Sequence, residues 1–207
     1  MMKLHCLAYS RAIRVAWLLE DLGQDYELIF YDRTPQFLAP EALKKVHPLG
    51  KSPTLEDGTL MLTESATILR YVHETHGDGR FTPKPGTDDY WDHESWLDYP
   101  ESSAAPSILA AVLAKVAGKD RPDDPRMQRE LETHLSYIEK RLSGRQFLMG
   151  DTLTLADIQM SYMIALCDLA GLLRDRPAIA AYWQRLQDQP GFKAATDKAG
   201  PMTPPFG

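Results

Sequence analysis

Residues 3–31 read KLHCLAYSRAIRVAWLLEDLGQDYELIFY. Two hydrophobic periods follow each other here. Residues 3–7 are a candidate strand, and residues 11–22 set Val15, Leu18, Leu19 and Leu22 on one helical stripe. Gly23 stops that helix, and residues 26–31 are rich in strand-forming aromatic and branched side chains. Strand, helix and strand within about thirty residues make a βαβ unit. Its two strands must run parallel, because a crossover helix separates them.

Toward the C-terminus a short helical stretch near residues 40–46 precedes two short strands, 54–55 and 60–62. They flank Asp57-Gly58, a dipeptide suited to a tight antiparallel hairpin. A helix over 64–74 carries Ile68, Leu69 and Val72 at helical spacing, with Thr63 or Ser65 as candidate caps. The order βαβαββα fills residues 1–78, and residues 79–88, GRFTPKPGTD, read as a linker. Residues 89–207 look entirely helical. Residues 89–116 form one long predicted helix, bent where Pro100 and Pro106 each remove a backbone donor. Residues 126–142 align Leu131, Leu135, Ile138 and Leu142 on one stripe. Thr154-Leu155-Ala156-Asp157 has the form of a capping box, with Leu153 and Ile158 as its hydrophobic staple, so Asp157 reads as structural. Shorter helices follow over 178–187 and 191–198, and the tail, 201–207, is predicted to be irregular. The fold class is an α/β domain followed by an all-α helical bundle.

Composition narrows the function. The chain has 207 residues, 43% hydrophobic and 25% charged, an ordinary globular composition long enough for one large or two small domains. Its longest apolar run, 108–114, falls far short of the roughly 20 residues that span a bilayer. Residues 1–10 lack the pattern of an export signal, so a cytoplasmic protein with no membrane partner is expected. Cys6 and Cys167 are too few for a disulfide framework. Lys and Arg number 23 against 29 Asp and Glu, a net charge of −6 with no basic stripe, which argues against a nucleic-acid partner. Small-molecule chemistry is the expected class.

Three turns carry polar groups that suit a ligand. In Leu-Ala-Tyr-Ser-Arg-Ala-Ile-Arg, 7–14, the Ser10 hydroxyl lands at a helix start. It reads either as an N-cap or as a donor to an anion, since free N–H groups and the helix dipole already favour negative charge there. In His-Pro-Leu-Gly-Lys-Ser-Pro, 47–53, a cis Ser52–Pro53 bond would leave the Ser52 backbone open to pair with a bound peptide. In Thr-Glu-Ser-Ala-Thr, 63–67, Ser65 and free N–H groups suit a carboxylate while Glu64 suits an ammonium, as an amino-acid head group requires. Ordinary helix capping is the other reading of that turn.

Taken in order, Ser-Arg-Ala-Ile-Arg at 10–14, the 47–53 segment, Thr-Glu-Ser-Ala at 63–66 and the capped Leu-Thr-Leu-Ala-Asp-Ile at 153–158 resemble the glutathione transferases, in particular bacterial and fungal members of the serine type. The resemblance runs nearly end to end. It implies a thioredoxin-like first domain that binds glutathione and a helical second domain that forms an electrophile pocket. It also implies that Pro53 is cis and that Ser52 pairs through its backbone with the cysteinyl part of glutathione. Glu64 and Ser65 would hold the γ-glutamyl end, and Lys51 and His47 the glycyl carboxylate. Ser10 becomes the thiol activator, with Tyr9 as the alternative, and Arg14 of the same motif joins the glutathione site. Tyr9, Trp96, Tyr99 and Ser102 would border the electrophile pocket.

The activity implied is conjugation of the glutathione thiolate to an electrophilic, mostly apolar small molecule, as in detoxification. Glutathione would be a co-substrate, with no tightly bound cofactor, and the protein a homodimer. Glutathione-dependent disulfide reduction or peroxidase chemistry, and a non-catalytic binder that keeps the fold, are the alternatives.

Other motifs carry less. His73-Glu74-Thr75-His76 spaces its histidines by three rather than four, so it lacks the zinc-protease geometry and no metal site is expected. The pairs Asp88-Asp89 and Asp123-Asp124 lie at predicted helix starts and complement the dipole. Cys6, inside a strand, and Cys167, inside a helix, read as core packing.

Overall fold

A computed structural model describes residues Met1–Pro205. The chain divides into two compact units, Met1–Arg80 with Asp188–Pro205, and Phe81–Gln187. The first unit holds β1 (Met2–Leu7), α1 (Ala12–Asp21), β2 (Tyr26–Tyr31), α2 (Glu41–Val46), β3 (Thr54–Asp57), β4 (Leu60–Leu62), α3 (Ser65–His76) and the late helix α9 (Pro190–Ala199). The second is helical, with α4 (Asp88–Tyr99), α5 (Ala105–Val116), α6 (Pro125–Leu142), α7 (Leu155–Leu169) and α8 (Pro177–Gln187). The tail is irregular from Pro201 through Pro205, and Phe206 and Gly207 of the predicted irregular segment lie outside the described residues.

The four strands form one sheet in the order β2-β1-β3-β4, with β1 and β2 parallel, β3 antiparallel to β1 and β4 antiparallel to β3. Gly58, at φ +59°, makes the β3–β4 turn that the Asp57-Gly58 pair predicts. One sheet face supplies Leu4, Cys6 and Leu55 to a core shared with Ile13 and Trp17 of α1 and with Ile68, Leu69 and Val72 of α3, all fully buried.

Helix α1 is buried on every side from Ala12 to Leu19, more than a single stripe predicts. The cause is α9, whose Phe192 meets the Trp17 ring edge-on at 5.3 Å. Residues 188–205 thus pack with the first unit, although composition groups them with the helical segment that follows the linker.

Two helix boundaries differ from expectation. Helix α3 takes neither Thr63 nor Ser65 as its cap, because Ser65 is already helical and Glu64 holds the cap position at φ +68° with no side-chain bond to the helix. Residues 88–116 are helical throughout but not uniformly α. A π-helical turn, Pro100–Ala104, lets the chain pass both prolines by widening the helix where a backbone donor is missing.

Within the second unit α7 is buried from Leu155 to Cys167. Its capping box is as the sequence predicts: Asp157 accepts the Thr154 backbone N–H and hydroxyl, both at 2.8 Å. The same carboxylate also takes the Leu148 N–H at 2.8 Å and the Tyr182 hydroxyl at 2.9 Å. Burial pushes its pKa up while these four donors pull it back.

Candidate functional site

Topology gathers the three polar turns at one end of the sheet. β1 runs out at Leu7, and its antiparallel partner β3 begins beside it, with His5 opposite Thr54. β4 then returns with Leu62 opposite Leu55, which carries the chain out at the same end. Ser10 after β1, Ser52 and Pro53 before β3, and Glu64 and Ser65 after β4 therefore share one rim of the first unit.

The hydroxyls of that rim form a short chain. Ser52 Oγ donates to the His5 carbonyl at 3.0 Å and accepts the Leu7 N–H at 3.0 Å. Ser10 Oγ lies 3.2 Å from Ser52 Oγ and accepts the Ala12 N–H at 3.3 Å. A hydroxyl has one proton, and that of Ser52 goes to His5, so Ser10 is the donor between the two serines. Ser10 is 5% exposed and sits just ahead of α1, whose N-cap residue, Arg11, provides no side-chain bond. The first turn of α1 keeps its positive end toward the rim.

The Ser52–Pro53 bond is cis, as the resemblance implies. At α3 the exposed acid Glu64 stands at the cap position without capping, beside the buried Ser65. Lys51 is exposed, and His47 is half-buried with Nδ1 accepting the Leu49 N–H at 3.4 Å. Arg14, like Ser10 and Ser65, is buried, in the first turns of α1.

Tyr9 takes a left-handed φ of +54° and stacks on Phe37, with ring centroids 6.0 Å apart and planes 14° apart. Both line a cavity of about 380 Å³ with Ala8, Phe30 and Arg33 on one side and the chain after α9 on the other. Arg33 and Phe37 carry no sequence motif. The loop after β2 offers only a lone basic residue between turn formers as a signal.

Neither cysteine is a nucleophile. Burial pushes each thiol up to about 12, so both stay protonated at neutral pH.

In the second unit Trp96 is 2% exposed, stacked on Tyr137 at 4.9 Å, with the Arg141 guanidinium 5.2 Å from its ring centre. The Tyr99 hydroxyl bonds His134 Nδ1 at 2.7 Å, and burial pushes its pKa up. Ser102 is exposed in the π-helical turn.

The known proteins agree with this architecture. The glutathione S-transferase N-terminal domain matches residues 2–74 and the C-terminal domain residues 109–198. A crystal structure of a glutathione S-transferase from Actinobacillus pleuropneumoniae superposes with a TM-score of 0.86 at 34% identity, covering 96% of this chain and 93% of that one. The chain belongs to the glutathione S-transferase family.

Among curated relatives in the family, glutathione S-transferase 4 of Zea mays is 32% identical over 86% of this chain and 83% of its own length. Glutathione S-transferase 3 of Schizosaccharomyces pombe is 29% identical over 96% and 88%. Residues 2–74 thus form the thioredoxin-like domain of a glutathione S-transferase, and residues 109–198 match its helical domain. Among the described residues no group of metal-ligating side chains is gathered, and no helix is long and apolar enough to cross a membrane.

Proposed function

We propose that the protein conjugates the thiolate of glutathione to an electrophilic, mostly apolar small molecule, with Ser10 as thiol activator. The observation that supports this best is the Ser10 hydroxyl at the start of α1, bonded to Ser52 on the rim that also carries Pro53, Glu64 and Ser65. On this reading the Ser52 backbone pairs with the cysteinyl residue. Glu64 takes the γ-glutamyl ammonium, Ser65 with the first N–H groups of α3 takes its carboxylate, and Lys51 with His47 meets the glycyl carboxylate.

A free thiol has a pKa near 8.5 and is only a few per cent ionised at pH 7. Lowering it by about two units needs roughly 2.7 kcal/mol in favour of the thiolate. One charge-assisted hydrogen bond, about 1.5–3 kcal/mol, together with a helix N-terminus supplies that. Ser10 then turns its proton from Ser52 to the thiolate and never needs to lose it. Tyr9, half-exposed on the cavity wall, serves the acceptor side in this reading. Trp96, Tyr99 and Ser102 border the acceptor, with residues 1–78 as the glutathione-binding part, 79–88 the linker and 89–207 the acceptor-shaping part.

Cytoplasmic location and a two-fold dimer belong to the same proposal. β4 is an outer strand of the sheet, and Leu60 and Met61 on it are each 41% exposed, with Leu49 57% exposed in the turn before β3. An apolar edge of this kind is what a second copy would cover. Sedimentation as a monomer at micromolar concentration would remove the dimer from the proposal.

The deciding experiment is a spectroscopic pH titration of glutathione bound to the purified protein. A bound pKa about one or more units below the free value is expected. Binding with no shift points instead to disulfide reduction, which a hydroxyethyl-disulfide assay would detect, or to a carrier. Absence of binding ends the transferase reading.

A further inference from the structure

We propose that Arg33 is a positioning residue for thiol activation: its guanidinium sets the peptide plane that leads into Ser10. The inference rests on the reading of Ser10 given above. Arg33 Nε donates to the Ala8 carbonyl at 2.9 Å and its terminal nitrogens donate to the carbonyls of Tyr9 and Phe37, each at 3.0 Å. Its charge also lies 4.5 Å above the Phe37 ring. One planar group therefore ties two successive carbonyls of the β1–α1 turn to the loop after β2.

The Tyr9 carbonyl and the Ser10 N–H belong to one rigid peptide unit. Holding that carbonyl fixes the plane from which the Ser10 Cα and its hydroxyl depart. The hold matters because Tyr9, at φ +54°, and Phe37, at φ +63°, both occupy the left-handed region that side chains other than glycine avoid. Such conformations persist where the surroundings over-determine them. Arg33 does so at both residues, through their carbonyls and, at Phe37, through the ring as well.

A lysine cannot replace this group. Its ammonium is a single point on a flexible stem and has no planar fork to reach three diverging carbonyls. The Tyr9–Phe37 stack should loosen with the same loss, since both backbones are tied to the guanidinium.

The test compares wild type with Arg33→Gln and Arg33→Lys through three readouts: the pKa of bound glutathione, the pH profile of kcat with a generic aromatic electrophile, and the affinity for S-methylglutathione, which has no thiol to ionise. Both variants are expected to raise the bound thiol pKa by about one unit, lowering kcat about fivefold near pH 6.5. Near pH 9, where the thiol ionises unaided, kcat should return to within about threefold of wild type. S-methylglutathione affinity should stay within about threefold, because Ser52, Glu64 and Ser65 still hold the peptide.

A pH profile that keeps the wild-type shape in both variants overturns the proposal, as does an Arg33→Lys variant that behaves as wild type. If Arg33→Gln does not fold, Arg33→Lys carries the measurement. If wild type itself shows no lowered thiol pKa, the Ser10 reading fails first, and that result is distinct from an unchanged profile in the variants.

Discussion

Ser10 gives its one hydroxyl proton to Ser52, across 3.2 Å, because the proton of Ser52 is committed to the His5 carbonyl. The two serines should therefore separate when removed in turn. Ser10→Ala is expected to raise the bound thiol pKa by about one to two units while costing under about 1 kcal/mol of stability, since Ser52 keeps the Leu7 N–H as a donor and the Ala12 N–H alone is left without its partner. Ser52→Ala leaves the Leu7 N–H and the His5 carbonyl without their bonds and should cost about 1–3 kcal/mol. It also frees the Ser10 proton, so the thiol pKa should not rise. Titration and urea unfolding of both variants check the pair. If Tyr9→Phe rather than Ser10→Ala abolishes the shift, Tyr9 is the activator.

Glu64 faces solvent at the cap position of α3, and no side-chain bond to the helix occupies it. Glu64→Gln keeps the shape and removes the charge. The expected result is about a tenfold rise in KM for glutathione, the lower end of what a charged hydrogen bond contributes. At saturating glutathione kcat should change by less than about threefold, because the γ-glutamyl end is remote from the thiol. A large fall in kcat with KM unchanged would assign Glu64 to the chemical step instead.

The parts of this molecule that the sequence makes legible are those governed by neighbours in the chain. The stripe Leu131, Leu135, Ile138 and Leu142 is buried as its spacing requires, and Asp157 meets Thr154 within a single turn. Ser10, Ser52 and Glu64, which the proposal places at the site, stand out in the sequence because each sits at an element boundary, where side chains and backbone groups are left over. Arg33 was not, because its three carbonyl partners lie four residues away or more, across two loops, and no local period marks them. The all-round burial of α1 was hidden for the same reason: the covering helix arrives from the far end of the chain.

Asp57 ends β3 and is tied to α3. Its carboxylate accepts the Tyr71 hydroxyl at 2.8 Å and meets His76 Nε2 at 3.1 Å, and these bonds, Tyr71 first, hold its pKa below the ordinary carboxylate range. A carboxyl whose folded pKa is depressed adds stability that is fully present above its unfolded value, near 3.9, and is lost as pH falls through the folded value. Wild type should therefore exceed Asp57→Asn in unfolding free energy by a constant amount between about pH 5 and 6. The gap should close as pH drops below about 4. A gap that persists at pH 2 would mean that the bonds act through shape and not through charge.

Gly191 lies where α9 meets α1. Its N–H is accepted by the Asp21 carboxylate, which also takes the Trp17 indole N–H at 2.7 Å, so one acid at the end of α1 caps the start of α9. A methyl group on Gly191 would fall 2.7 Å from Trp17 Cδ1 and closer still to the Asp21 carboxylate. Trp17 cannot yield easily, because it is fully buried and Phe192 packs against it. Gly191→Ala must then push α9 outward and weaken both the cap and the aromatic contact. Overpacking of this kind costs about 1–3 kcal/mol, and each kcal/mol lowers the melting temperature of a protein this size by about 2–4 °C. The effect should reach the site, since Ala199, Gly200 and Pro201 at the other end of α9 wall the cavity beside Tyr9. Calorimetry should show the lower melting temperature, and KM for an apolar electrophile should rise more than KM for glutathione. If the melting temperature falls while the two KM values keep their ratio, α9 supports the fold and leaves the acceptor side untouched.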